Sequence, residues 1–379
     1  MSKRSRRVLF AITLLIGSAA SFAAFENLRG KRAVQAYKTA LIAKGEKLKI
    51  EELVTPFSDE SNQTANRLVQ AAWQLSQRGL ATSLIQPSAM RFVAPGKAIA
   101  GWTQPMISNN GRPPNRWEDL AAQLDDQREA LAQIRDDLKS LRLDWRLNYH
   151  QGFDLLLPHL ARTKQIAYWL SAATLNDLHT RDLNSASANL QALLSLANGF
   201  RDERTMVSQL VRISIAAIAF AATWEALQAD GWTDAQLAGL QKGWEAVEFI
   251  RAMERSMEMG RATGLVMFER FRHSDTELRQ MFSGMGTGAA GSSGTLSAPN
   301  SVEDVPEFVG ALFKKSLAAT GSFGRENLWR WLWSNRDELQ FCQAYQAMLE
   351  RMRQLAVQGC FAGPYSREDN DGVMFDIAS

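Results

Sequence analysis

From Asn115 onward, apolar residues recur at helical spacing almost without a break, and that rhythm restricts this chain to packed helices. Leu120, Leu124, Leu131, Ile134 and Leu138 form one stripe of a first helix. Asn115 is its expected cap, Glu118 lies in its first turn, and it runs on to Leu141. Further helices are expected over 153–178, 182–199, 203–229 and 246–274. Asp182 or Asn184 starts one, Thr233 or Asp234 starts another, and Asn198-Gly199 is a stop. The run ISIAAIAFAAT (213–223) is apolar all round, too short for a membrane span, and flanked by Arg212 and Glu225. It is expected to be the most buried helix of the core. Upstream, Val34, Tyr37, Ala40 and Leu41 mark a helix over 31–46 that stops at Gly45. Leu68, Ala71, Ala72 and Leu75 mark another over 60–77.

Consecutive antiparallel helices joined by short turns make the fold class all-α. The chain is expected to form an antiparallel helical bundle or a short α-solenoid-like stack behind an N-terminal transmembrane or signal helix. The pair within Asp182–Ala229 resembles a solenoid repeat unit, but no fixed period recurs. Two segments break the rhythm. Five of the ten prolines (Pro87, Pro95, Pro105, Pro113 and Pro114) fall within 81–116, so no helix runs through it. It is expected to be an arm packed on the helices through Phe92 and Trp102. The other break, SGMGTGAAGSSGTLSAPN, has the composition of a flexible linker. The resulting organisation is a leader over 1–25 and helices plus the Pro-rich arm over 26–116. A helical core over 117–282 follows, then the linker over 283–302, C-terminal helices over 303–360 (305–318 and 325–357) and a tail over 361–379.

The leader sets the location. Lys3, Arg4, Arg6 and Arg7 precede an uncharged apolar run from Val8 to Phe25. Eighteen residues are just enough for a membrane-spanning helix, so residues 8–25 are expected to anchor the chain, with its bulk outside the cytoplasm. The alternative is cleavage near Ala23, at the small-x-small site Ser21-Phe22-Ala23, which would release the body. The run Ser5-Arg6-Arg7-Val8-Leu9-Phe10 also resembles a twin-arginine export signal, although an ordinary basic leader is the preferred reading.

Charge excludes one class of partner. Residues 1–24 hold four basic residues and no acid. Without them the 43 basic residues become 39 against 40 acids, a net of −1. The apparent basicity belongs to the leader, and no basic stripe for nucleic acid remains.

Each candidate chemical group has an ordinary structural reading beside it. His150, Asp154 and His159 are a candidate metal cluster. Asp154 and His159 are five apart, however, where a helix needs three or four, so capping or core histidines are the simpler assignment. Glu254 and Glu258 share a helix face and are the candidate catalytic pair. Arg251, Arg255 and Arg261 on the same helix offer them intrahelical ion pairs. Trp329, Trp331 and Trp333 are candidates for stacking on a sugar ligand; filling gaps between helices is the alternative. Asp369-Asn370-Asp371-Gly372 lacks the first and last ligands of a calcium loop. Cys342 and Cys360 are expected as separate thiols, because a helix running on to about Val357 carries them apart. No nucleophile elbow or phosphate loop appears, and no cofactor is expected.

Three stretches carry a family resemblance: AVQAYKTALIAKGEKLKIEEL, the Trp117-to-Trp169 region, and ANLQALLSLANGF followed by SQLVRISIAAIA. Together they resemble uncharacterised, membrane-anchored, all-helical envelope proteins of planctomycete and verrucomicrobial type. The resemblance implies a helical fold and an anchor, and it carries no activity. The reading is a membrane-anchored extracytoplasmic helical scaffold, or an interaction protein whose partner is another envelope protein. The alternatives are an envelope hydrolase using paired carboxylates in a helical cleft, or a non-catalytic glycan-binding module.

Overall fold

Three helix starts in the chain use a side-chain acceptor for an otherwise unpaired amide, at Asp182, Thr205 and Thr233. A computed structural model describes residues 3–54, 56, 58–77, 92–94, 97–98, 100–105, 116–139, 142–278 and 329–358. In chain order the elements are α1 (Lys3–Ala43), α2 (Ile50–Leu53), α3 (Asp59–Gln77), β1 (Phe92–Ala94), β2 (Lys97–Ala98), α4 (Trp117–Asp126) and α5 (Arg128–Asp137). These are followed by α6 (Pro158–His179), α7 (Leu183–Gly199), α8 (Met206–Ala226), α9 (Asp234–Glu245), α10 (Ile250–His273) and α11 (Ser334–Gln358). Among the described residues the fold is all-α except for the small antiparallel ribbon β1–β2. Asp182 caps α7 by accepting from the Ser185 amide, Thr205 caps α8 through Ser208, and Thr233 closes a capping box with Gln236 on α9. Pro158 opens α6 at a position where its missing amide costs no hydrogen bond.

Several boundaries differ from expectation for local reasons. The leader and the 31–46 helix are one helix of 41 residues, roughly 60 Å long. It stops at Gly45, whose φ is 86°, with the Glu46 amide reaching back to the Leu41 carbonyl at 3.1 Å. Asn115 lies outside the described residues; the cap position is Arg116, which makes no side-chain cap bond. The expected single helix to Leu141 breaks at Gln127, a buried residue that leaves helical dihedrals and donates to Asp126 at 2.8 Å. Val247 and Phe249 pack on the core as a link, so α10 starts at Ile250 instead of Ala246. The proposed linker, the 305–318 helix, the start of the 325–357 helix, the tail with its acidic turn, and Cys360 lie outside the described residues.

Two compact units draw on interleaved segments. One takes Met1–Val54, Tyr149–Phe153 and Met257–Arg353; the other takes Thr55–Asn148, Asp154–Ser256 and Gln354–Ser379. In the second unit, α6 and α7 form the centre, with α3, α4 and α8 against α6, and α5, α8 and α9 against α7. Ile166, Leu170, Leu190, Leu193, Leu196 and Phe200 are fully buried there, and so are Leu68, Ala72 and Leu75 of α3, on the stripe predicted for it. The helix expected to be most buried, α8, is instead a wall of this bundle. It buries Ile215, Ala219 and Ala222 but leaves Val207, Leu210, Ile213 and Phe220 exposed.

In the first unit, Leu41, Leu48, Phe268, Phe271, Trp329, Phe341, Cys342 and Tyr345 make a separate core. Polar groups are buried beside it. Glu46 accepts from Arg261 at 2.8 Å, from Gln346 at 3.2 Å and from Arg353. Burial alone would raise the Glu46 pKa, but these three donors outweigh it and hold the carboxyl at about 2. Glu338 similarly joins Lys38 of α1 to Arg272 of α10. Cys342 is fully buried and unpaired, and burial pushes its thiol up to about 12, which leaves it inert.

Close packing of α10 on α11 requires small residues. A Cβ on Gly260 would sit 3.1 Å from the Tyr345 ring, and one on Gly264 would fall deep inside the Phe341 ring. A helical Gly→Ala change ordinarily stabilises by about 1 kcal/mol. Here Gly264→Ala is expected to destabilise by roughly 2 kcal/mol because the buried Phe341 ring must be displaced from the space the new methyl takes. Adding Phe341→Leu should recover part of that loss. Urea unfolding of the two variants tests this; a Gly264→Ala protein as stable as the parent would contradict the packing.

Candidate functional site

Carboxylates withdrawn from water mark one end of the second unit. Glu225, in the last turn of α8, is 1% exposed. Its Oε2 accepts the Gly101 amide at 2.6 Å, and its backbone carbonyl accepts the Trp102 indole N–H at 3.0 Å. His179 ends α6, meets the Trp102 carbonyl through Nδ1 at 2.9 Å, and stacks on Trp117 with ring centroids 4.2 Å apart. Trp117 donates to the Gln104 carbonyl at 2.9 Å. These contacts latch residues 100–105 onto the ends of α4, α6 and α8. The expected docking of the Pro-rich arm through Trp102 is therefore observed; the Phe92 side chain lies outside the described residues.

Burial pushes the Glu225 carboxyl up to about 7, although the Gly101 and Trp102 amides work against the shift. Asp177, two residues before His179, is also pushed up to about 7. Burial is the larger cause and the Asp182 carboxylate the second. Arg135 and an Asn189 hydrogen bond of 2.7 Å oppose the rise. Carboxyls that exchange protons near neutrality are raw material for acid–base chemistry. The Glu225 carboxyl is sealed from solvent with one oxygen given to Gly101, so its first role is to hold the arm.

The sequence-derived candidates are distributed differently. His159 and Asp154 belong to the second unit and His150 to the first. His159 is buried, faces both Glu203 oxygens from Nε2 at 3.0 and 3.2 Å, and stacks on Trp145 with ring centroids 4.6 Å apart, Trp145 in turn stacking on Phe200 at 4.9 Å. This matches the core-histidine reading. Asp154 is exposed at the end of a short 3-10 turn, and His150 pairs with Glu51 at 3.3 Å. Among the described residues, no three histidine, cysteine or acidic side chains gather as metal ligands.

Glu258 takes Arg353 of α11 at 3.3 Å, and Glu254 is also engaged. Two of the three arginines expected to pair with them along the helix reach other elements. Arg261 goes to Glu46, and Arg255 goes to the Arg201 carbonyl at 3.1 Å and to Asp202. The three tryptophans do not form one platform. Trp329 is fully buried, stacks on Phe268 and donates to Asp337 at 2.8 Å; Trp333 is partly buried against the core; Trp331 is 61% exposed.

Sequence reasoning missed Glu225, Asp177, Glu46 and Glu203. Each needs a partner from a distant segment to be recognised. For Glu225 the only local signal was its position at the end of an apolar run. No protein-family model, no curated protein and no solved structure matches the chain.

Both raised carboxyls bind a proton more tightly folded than unfolded. Their contribution to stability is complete below the unfolded values near 4 and is lost as pH rises through about 7. Stability should therefore fall between about pH 4 and 7, by up to about 1.4 kcal/mol per pH unit for each group, and level off above that. Glu225→Gln, which keeps an acceptor for Gly101, should remove part of that slope. Thermal melts of parent and variant across this range test it; parallel pH profiles would show that Glu225 titrates normally.

Proposed function

We propose that the protein is a membrane-anchored helical scaffold of the cell envelope. Residues 8–25 lie in the bilayer, and the helical body, outside the cytoplasm, binds other macromolecules. The observation that carries this reading is on α1. Leu14, Phe22 and Phe25 stand 63–66% exposed along one uninterrupted helix, preceded by four basic residues and no acid. At these exposures the side chains lie bare to water; in hydrocarbon they gain about 25 cal/mol per Å² removed from water. The resemblance to anchored envelope proteins points the same way.

The binding role rests on what the candidate chemical groups already do. Glu258 supports Arg353, His159 is stacked in the second core, Trp329 fills the first core, and Glu225 holds the arm. An all-α body whose acids serve as internal fastenings is suited to presenting surfaces.

The anchor is tested on membranes from cells expressing the full chain. It is expected to stay in the pellet after alkaline carbonate extraction, and protease added outside should digest the body. Replacing Leu14 and Phe22 by Glu should move at least half of the chain to the soluble fraction. Full release of the parent chain by carbonate would overturn the anchor.

A further inference from the structure

Helix α8 is built inside out. Its two charged residues, Arg212 and Glu225, are 0% and 1% exposed, and Ser208, Gln209 and Thr223 are buried with them. Its solvent face is apolar, with Val207 54%, Leu210 40%, Ile213 39%, Phe220 44% and the C-cap Leu227 52% exposed. Among the described residues, α8 is long and apolar enough to cross a membrane by length and composition, yet 44% of its most apolar window is buried. Against α6 and α7 it is one wall of a bundle.

The exposed stripe is symmetric in sequence about Ala217. Val207 and Leu227 each lie ten residues from it, Leu210 and the half-buried Trp224 seven, and Ser214 with Phe220 three. Ala217 is exposed, and the small residues Ser214 and Ala221 flank it one turn away, half-buried. Two such helices running antiparallel would set Ala217 against Ala217 on a two-fold axis, Val207 against Leu227, and Leu210 against Trp224. The small centre permits an approach of about 8 Å, and the larger residues close the ends. Aromatic side chains carry roughly 150–250 Å² each, and aliphatic ones less. Complete burial of these exposed surfaces would remove at most on the order of 900 Å² from a pair of copies, just under the ~1,000 Å² that a stable interface clears and the size of a weak pair.

We infer that a second copy of this chain covers α8, in an antiparallel two-fold pair centred on Ala217. A face free of charge and symmetric about a small residue fits its own copy better than it fits an unrelated partner. The inference does not depend on whether residues 8–25 enter a bilayer.

The full chain in mild detergent at micromolar concentration tests it. Mass from light scattering should correspond to two chains, and Ile213→Glu with Phe220→Glu should return it to one, with helix content unchanged by circular dichroism. Disulfide trapping fixes the direction. Ala217→Cys should give a new crosslinked dimer above the parent's background. Val207→Cys alone should not, because its copies lie roughly 30 Å apart. Val207→Cys combined with Leu227→Cys should crosslink again. A monomeric parent overturns the inference, as does association that survives the double Glu variant. Crosslinking of Val207→Cys with itself overturns the antiparallel arrangement. A monomer whose vesicle binding is lost in the Glu variant would assign the face to lipid instead.

Discussion

One buried guanidinium decides which way α8 faces. Arg212 is fully enclosed and donates Nε–H to the Ala197 carbonyl at 2.8 Å and Nη1–H to the Glu248 carbonyl at 2.7 Å. Its plane lies 4.9 Å from the Phe249 ring. Burial lowers its pKa to about 10, which still leaves it charged. A charge in that position costs several kcal/mol of desolvation, and the two carbonyls and the ring offset it only where they lie. The end of α7, the link before α10 and the rotation of α8 are therefore set together. Once Arg212 points inward, helical geometry sends Val207, Leu210 and Ile213 outward, whereas Glu225, five turns on from Val207 on the same side, is enclosed by the arm at Gly101 and Trp102.

The first unit applies the same device with opposite charge. Glu46 follows the Gly45 stop of α1, and its carboxylate is held by Arg261, Gln346 and Arg353. A carboxyl at about 2 is ionised at any physiological pH, so this fastening does not switch. Breaking one partner of such a group is costly, since the rest remain charged and buried. Glu225 differs in kind. Among the described residues its carboxyl is opposed only by the Gly101 and Trp102 amides, with no cation donating to it, so burial prevails and pushes the group up to about 7. The arm at residues 100–105 thus depends on a group sensitive to pH, while the helices of the first unit do not.

Periodicity and caps were legible in the sequence because they are local. The starts of α7 and α9, the stop at Gly45 and the buried stripe of α3 follow from residues within one or two turns. Helix rotation was not legible where polarity was misleading. The 213–223 run looked buried because it is apolar. The contacts that orient it belong to Arg212, just outside the run, and to carbonyls 15 and 36 residues away. The arginines of α10 show the same limit. Spacing offered them Glu254 and Glu258, yet Arg261 reaches Glu46 across more than two hundred residues. The core histidine was legible at His159, but its partner Glu203 lies 44 residues on, and no spacing rule connects them.

A modest apolar interface needs favourable company to hold two copies together. The body beyond the leader carries 39 basic and 40 acidic residues, so no long-range repulsion opposes the approach of a second copy. Near-zero net charge favours association of surfaces that are themselves uncharged. The proposed anchor acts in the same direction, because confinement to a membrane raises the local concentration of copies as a linker does. An interface of at most about 900 Å², marginal in dilute solution, would then be populated on a surface. The proposed anchor and the proposed pairing through α8 would thus reinforce each other, because anchoring lowers the affinity that pairing requires.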